Sequence, residues 1–498
     1  MTDLKSKTIK GVAWSSIETW SDQGISLLVF ILLARLLEPK DFGLMALASI
    51  YIAAMQMVIR QGLTEAIVQK EKLEAEHLDA VFWVNLLLGT ALGLFTLFFS
   101  RWVAALFGSP ELSDVVQWLS ASLLFGSLST VQSAVMQREM RYRSLALRTL
   151  AASTTAGVAA ITLALLHYGV WSLVAYQLVN AFISVAILWT AGHWRPRWRF
   201  STAHCGEMFR FGVNIFAVNV VDVVNKRSDQ FLIGLHLGPI ALGFFSISSR
   251  FYQALMTVFV SSISRVALST FARLQTEPAK FVSGFYRAIE AATTLSFPAF
   301  LGATILCPEI ITLCFGAKWL ACVPVFRAMM CMGLLYSLTF FHGAALRAMG
   351  RPNWHLYLVI LHVGINLILF LAVVKHGIVA VALASTIRAY VLVPIDFIIL
   401  KKLIPIRLAE YWRRIQAQTF ASLGMVAAIY AFKALIQHTL PWTYVLTLSL
   451  ILGMLVYTAL LYLLHPHLFK DILGYAQMLR PRHQSPPVGL EAPTVMKP

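Results

Sequence analysis

The chain reads as an all-α integral membrane protein of about fourteen transmembrane helices. These form two six-helix bundles related by a pseudo-twofold axis, followed by two extra C-terminal helices. Three observations predict this. Of 498 residues, 58% are hydrophobic and only 13% charged, with a mean hydropathy of +0.73; a soluble domain carries about 25% charged residues. Apolar stretches of roughly 20 residues, the length that crosses a bilayer as a helix, recur along most of the chain. Lys and Arg, finally, alternate between rich and poor loops.

Taken in order, the spans fall at 11–33, 42–59, 80–99, 115–136, 146–166 and 170–191, then at 212–235, 241–264, 288–313, 322–345, 354–374 and 378–400, and last at 416–436 and 443–464. The first span is expected to be retained: Glu18 and Asp22 interrupt its apolar run, and no small-residue cleavage site follows. The segment Arg480–Pro498 is Pro-rich and reads as disordered.

The formal charge of +17 takes its meaning from where the cations lie. With the N-terminus in the cytoplasm, 29 of the 40 Lys and Arg residues fall in cytoplasmic loops and 5 (Arg35, Lys40, Arg101, Lys318, Lys375) in outside loops. Basic residues near spans are retained inside, so both termini are expected in the cytoplasm. Nucleic acid is not needed to explain the surplus. The basic, aromatic stretches Arg195-Pro-Arg-Trp-Arg199 and Tyr411-Trp-Arg-Arg414 are expected to meet anionic lipid headgroups of the surrounding membrane.

The two halves repeat each other. At an offset of 200, Leu32, Leu37, Pro39 and Gly43 match Leu232, Leu237, Pro239 and Gly243, and Asp22 matches Asp222. Phe107-Gly108 and Gly169 recur 208 residues later as Phe315-Gly316 and Gly377, and Arg141 recurs as Arg351. The expected units are residues 1–200 and 201–402, each of six spans, then spans 13 and 14 over 403–466 and a cytoplasmic tail over 467–498. Six is even, so both copies keep one orientation. Paired bundles of this kind place a substrate site at their interface and work by alternating access.

Ionisable groups within spans are costly and usually face a cavity. Span 1 carries Glu18 and Asp22 on one face, and span 7 carries Asp222, Lys226, Arg227 and Asp229; Asp222 and Lys226 are spaced to pair. Arg250 and Arg388 lie near the middle of spans 8 and 12, with no acid one turn away on their own helices. A guanidinium fork suits phosphate oxygens. Lys226, Arg227, Arg250 and Arg388 are therefore the candidate substrate-binding cations, and Asp22, Asp222 and Glu18 the candidate ion-coupling acids. Glu290, Glu309 and Asp396 lie towards span ends and are expected to be solvated; His342 and His362 read as helix-packing residues. No P-loop, GxSxG or HExxH motif occurs. Cys205, Cys307, Cys314, Cys322 and Cys331 form no CxxC. No catalytic residue, metal or cofactor is expected.

Several stretches together carry a resemblance. They are Lys10-Gly-Val-Ala-Trp14, Ala34-Arg-Leu-Leu-Glu-Pro-Lys-Asp-Phe-Gly-Leu44, Met136-Gln-Arg-Glu-Met-Arg-Tyr-Arg143, Asp229-Gln-Phe-Leu-Ile-Gly234 following Phe211-Gly212 and Asn219, and Gly243-Phe-Phe-Ser-Ile-Ser-Ser-Arg-Phe-Tyr252. In this order, over spans 1–12, they resemble Wzx-type polysaccharide flippases. The likeness is to the exopolysaccharide, colanic-acid-type branch of the multidrug/oligosaccharidyl-lipid/polysaccharide exporter superfamily. The resemblance implies a cargo: an undecaprenyl-pyrophosphate-linked oligosaccharide repeat unit, moved across a bacterial inner membrane for exopolysaccharide or O-antigen synthesis. It also implies polysaccharide polymerase and export machinery as partners. Two other readings compete. A multidrug antiporter of the same superfamily would favour an acidic cavity, and a membrane glycan polymerase would carry a long outside loop.

Overall fold

Apolar periodicity and proline punctuation set the helix boundaries. In the computed structural model the first half runs α1 (Thr2–Leu36), α2 (Pro39–Arg60), α3 (Leu63–Gln69), α4 (Ala75–Leu106), α5 (Leu112–Arg138), α6 (Tyr142–Leu165) and α7 (Val170–Ala191). The second half runs α8 (Thr202–Met256), α9 (Pro278–Ile305), α10 (Cys307–Cys314), α11 (Val323–Ala348), α12 (Pro352–Val373) and α13 (Ile378–Lys401), followed by α14 (Leu408–Ile436) and α15 (Trp442–Leu464). The structure describes residues 2–60, 63–70, 73–198, 202–261, 267, 270–271, 273–436 and 441–466. The tail expected over 467–498 lies outside the described residues, as does the side chain of Asp222. Pro39, Pro278 and Pro352 open α2, α9 and α12, where the missing N–H would have had no helical partner anyway.

Among the described residues, 13 helical segments are long and apolar enough to cross a membrane. One of them, Asn219–Val260, is 42 residues long. It leaves helical geometry at Gly238 (φ 79°, ψ −179°), just before Pro239, and so holds the seventh and eighth expected spans as two legs. Burial is inverted relative to a soluble protein. Phe98, Leu87 and Ile368 are 82%, 71% and 72% exposed, while Asn85, Gln132, Ser153 and Gln418 are buried. Lipid accepts apolar side chains and penalises polar ones.

The matched residues of the two halves occupy matched places. Arg141 and Arg351 precede the first turns of α6 and α12. Gly169 and Gly377 precede α7 and α13 with φ of 55° and 99°, a region that favours glycine. At the end where α1 gives way to α2, α2 and the second leg of α8 cross at Gly43 and Gly243, each against the proline carbonyl of the other turn.

That end is sealed. The last carbonyls of a helix have no internal donor, and those of α1 are served from the second half: Trp319 Nε1 donates to Ala34 O at 2.8 Å and Lys318 Nζ to Arg35 O at 2.9 Å. Arg35 returns the contact, donating to the carbonyls of Cys314 at 3.2 Å and Leu313 at the end of α10, where a cation also meets the negative end of the helix dipole. Trp319 sits edge-on to Phe42 and Phe244, with ring centroids 5.5 and 5.7 Å apart. One apolar core, including Leu33, Leu47, Phe245, Phe315 and Phe326, joins the halves there. Towards the other end the apolar cores of the described residues stay within one half or join the second half to α14 and α15.

Three sequence expectations are corrected here. Glu290 and Asp396 are buried, and Glu309 nearly so, because neighbouring helices cover the span ends. Glu309 pairs with Lys433 of α14 at 2.6 Å, Glu290 with Arg414 of α14 at 3.4 Å, and Asp396 with His362 at 3.2 Å. The first two pairs, together with a hydrogen bond from the Tyr457 hydroxyl to Thr294 O at 2.7 Å, fasten α14 and α15 to α9 and its continuation, while the third ties α13 to α12. In the first basic stretch Arg195 donates to the carbonyls of Gly192 and Trp194 at 2.8 and 2.9 Å at the end of α7, and it stays exposed together with Arg197 and Trp198. In the second, Tyr411 is buried while Trp412 is exposed, and Arg413 and Arg414 pair with Glu410, Arg413 keeping 70% of its side chain exposed.

Candidate functional site

The halves enclose a cavity of about 1220 Å³, larger than the roughly 300–1,000 Å³ usual for small-molecule sites. Five cationic side chains line it: Lys226, Arg227, Arg250, Arg388 and Arg148. Among the described residues only two carboxylates do, Asp22 and Asp229. Surrounded by apolar helices, such an excess acts through a low dielectric, where charge is felt more strongly than in water.

Each cation is held by its helix and by few partners. Arg227, on the first leg of α8, donates to Gln230 Oε1 at 2.9 Å, three residues on. Arg250, on the second leg, lies with its guanidinium 6.0 Å from the centre of the Phe30 ring of α1, a cation–π distance, and its side chain is open to the cavity. Arg388, on α13, is only 6% exposed. It donates to Tyr336 OH at 3.3 Å and to His362 O at 3.5 Å. No described carboxylate lies within 4.0 Å of Arg250 or Arg388. Uncharged acceptors satisfy part of the Arg388 guanidinium and an aromatic face meets that of Arg250, so both charges stay unneutralised by described acids. An anion with several oxygens would complete them.

The first half contributes a different surface. Arg148, at the start of the expected fifth span, is carried by α6 into the cavity wall. It lies 3.9 Å from Glu18 of α1, which also accepts a hydrogen bond from Thr149 Oγ1 at 2.9 Å. Glu18 thus sits behind Arg148 and does not line the cavity. Asp22 does line it, and accepts from Ser153 Oγ at 2.7 Å. Lys226 has its own contacts within the chain. His342 is buried in the second half. No cluster of three or more His, Cys, Asp or Glu side chains suited to a metal occurs among the described residues.

Comparison with known proteins bears on this geometry. A family model described as polysaccharide biosynthesis protein matches residues 32–324. The chain is similar to the succinoglycan biosynthesis transport protein ExoT of Rhizobium meliloti (strain 1021), 27% identical over 325 residues that make up 65% of each protein. It is similar to the lipopolysaccharide biosynthesis protein WzxC of Escherichia coli (strain K12), 25% identical over 70% of this chain and 72% of that one. With the teichuronic acid biosynthesis protein TuaB of Bacillus subtilis (strain 168) it shares 24% identity over 95% of this chain and 99% of that one. In fold it matches the lipid II flippase MurJ in an inward closed conformation, with a TM-score of 0.77 and 18% identity, covering 91% of this chain and 99% of that one. An inward-facing multidrug transporter of the MATE family matches with a TM-score of 0.57 and 14% identity, over 78% of this chain and 95% of that one.

Proposed function

The chain belongs to the polysaccharide biosynthesis protein family, and from that membership and the cationic chamber we propose that it is a flippase for undecaprenyl-pyrophosphate-linked oligosaccharide repeat units. It moves them from the cytoplasmic to the outer leaflet of a bacterial inner membrane, for a polymerase and export machinery to use, and makes or breaks no covalent bond itself. One observation carries the reading: among the described residues, a chamber at the interface of the halves holds five cations against two carboxylates, with Arg250 and Arg388 left free of described acids. A pyrophosphate is the group such a chamber neutralises. An exporter of cationic drugs would need the opposite balance.

In this reading residues 1–200 and 201–402 are the two moving bodies, and Lys226, Arg227, Arg250 and Arg388 receive the headgroup. Arg148 adds a cation from the first half, with Glu18 positioning it. Asp22 is the acid proposed for ion coupling, with Asp222 its counterpart by sequence. The alternation of Lys- and Arg-rich loops supports both termini inside; in that orientation the sealed end faces outward and the chamber is poised to load from the cytoplasm. Rocking of the halves must break the Trp319–Ala34 and Lys318–Arg35 contacts before cargo can leave.

The test is export by cells that carry this chain as their sole flippase. The Arg250→Glu variant is expected to abolish polymer export while reaching the membrane at normal levels. Normal export by that variant would overturn the assignment.

A further inference from the structure

The chamber is lined by neutral polar side chains as well as by cations, and a phosphate accounts only for the cations. Four of its five cations (Lys226, Arg227, Arg250 and Arg388) come from α8 and α13 of the second half. The first half presents α7. This helix has no Asp, Glu, Lys, Arg or His between Val170 and Ala191, yet Tyr176, Gln177, Asn180 and Ser184 all line the chamber. Their spacing of three, four and seven residues places them on one face of the helix, while Phe182 is 55% exposed on the outer surface. Neutral polar side chains in a membrane span need partners or water.

The partners inside the protein are few. Tyr176 OH lies 3.3 Å from Ser26 Oγ, and Asn180 Nδ2 donates to Ser153 Oγ at 3.5 Å. Gln177 and Ser184 have no side-chain hydrogen bond among the described residues, and neither has polar atoms shut away from the chamber. A carboxamide offers two donors and two acceptor sites, and a hydroxyl can do either. That combination matches vicinal sugar hydroxyls, each of which donates and accepts, and it is wasted on a phosphate, which only accepts. The Tyr176 ring adds an aromatic face with a hydroxyl at its rim, suited to the mixed apolar and polar surface of a pyranose.

We propose that the Tyr176–Gln177–Asn180–Ser184 face of α7 is a carbohydrate subsite that binds the sugar next to the pyrophosphate. It rests on the flippase reading above and extends it: the second half holds the charge common to all such cargo, and the first half discriminates the sugar. Discrimination follows because a site built to hydrogen-bond a hydroxyl is left with unpaired polar groups when the hydroxyl is missing.

The experiment is a binding titration of the purified full-length protein with four probes: bare undecaprenyl pyrophosphate, and the same lipid carrying glucose, galactose or N-acetylglucosamine. At least one sugar-bearing probe is expected to bind about tenfold tighter than the bare lipid. Gln177→Met, which keeps the shape and removes the amide, and separately Ser184→Ala, should each erase much of that gain and leave the bare-lipid affinity unchanged. Arg250→Ala should weaken all four probes together. Equal binding of all four by the wild type would overturn the subsite, as would full retention of the sugar gain in both α7 variants, or an equal loss for the bare lipid. Failure of the wild type to bind any probe would instead overturn the flippase reading and the subsite with it. Melting temperatures of the variants keep a folding defect distinct from a lost contact.

Discussion

Gly43 and Pro239 touch so closely that a Cβ on Gly43 would stand 1.7 Å from the Pro239 carbonyl oxygen. The contact is reciprocal: a Cβ on Gly243 would stand 1.9 Å from the carbonyl oxygen of Pro39. Two residues matched in sequence at an offset of 200 therefore grip each other's partners across the interface, as a twofold relation requires. Because the obstacle is backbone, an added methyl can be accommodated only by moving the helices apart. Gly43→Ala and Gly243→Ala are each expected to lower the melting temperature, by overpacking worth about 1–3 kcal/mol. Gly364→Ala, whose Cβ would meet nothing within 4 Å, should not. Equal melting temperatures for all three would show that the crossing is looser than described.

The seal at that end makes its own prediction. Trp319→Phe removes the donor to Ala34 O, and Lys318→Ala the donor to Arg35 O, so two carbonyls at the end of α1 lose partners worth about 1 kcal/mol each. With a reporter at Ser26→Cys in the chamber, both variants are expected to raise labelling by a membrane-impermeant thiol reagent added outside cells. Labelling no faster than in the parent would mean that the seal does not depend on these two contacts.

Lys433 and Glu309 test how α14 is attached. Their side chains are only 16% and 15% exposed and 2.6 Å apart. Lys433→Ala is expected to destabilise the protein by about 3–5 kcal/mol, because it strands a carboxylate among apolar helices. Replacing both with leucine should restore most of that loss, since a buried pair gains little over apolar packing. Thermal unfolding in detergent reads both. A double variant as unstable as the single would argue for a larger role of the pair.

Much of this was written in the sequence, and the exceptions are informative. Span length is a local property, so the apolar segments could be read directly: 13 helical segments of spanning length occur among the described residues, one of them bent at Gly238 into the expected seventh and eighth spans. Lys226, Arg227, Arg250 and Arg388 stood out because an ionisable residue in mid-span has few places to go, and all four line the chamber. Arg148 does not stand out in the sequence because it lies at the very start of the expected fifth span, where a cation is ordinarily solvated, whereas α6 begins at Tyr142 and carries it into the chamber wall. Glu290, Glu309 and Asp396 were misread because their burial depends on α9, α12 and α14 meeting in space, which no window along the chain records. The polar face of α7 was overlooked for a related reason: without a charge, Gln177 and Ser184 do not stand out from an apolar helix until the cavity shows which way they face.

The central claim is that the cationic chamber carries an anionic lipid headgroup from one leaflet to the other. Vesicles containing the purified protein and a fluorescent undecaprenyl-pyrophosphate-linked oligosaccharide test it directly, with an impermeant quencher reporting the fraction of label in the outer leaflet over time. The wild type is expected to move label between leaflets and Arg250→Glu to leave it in place. Label that stays put with the wild type, as in vesicles without protein, would contradict the account.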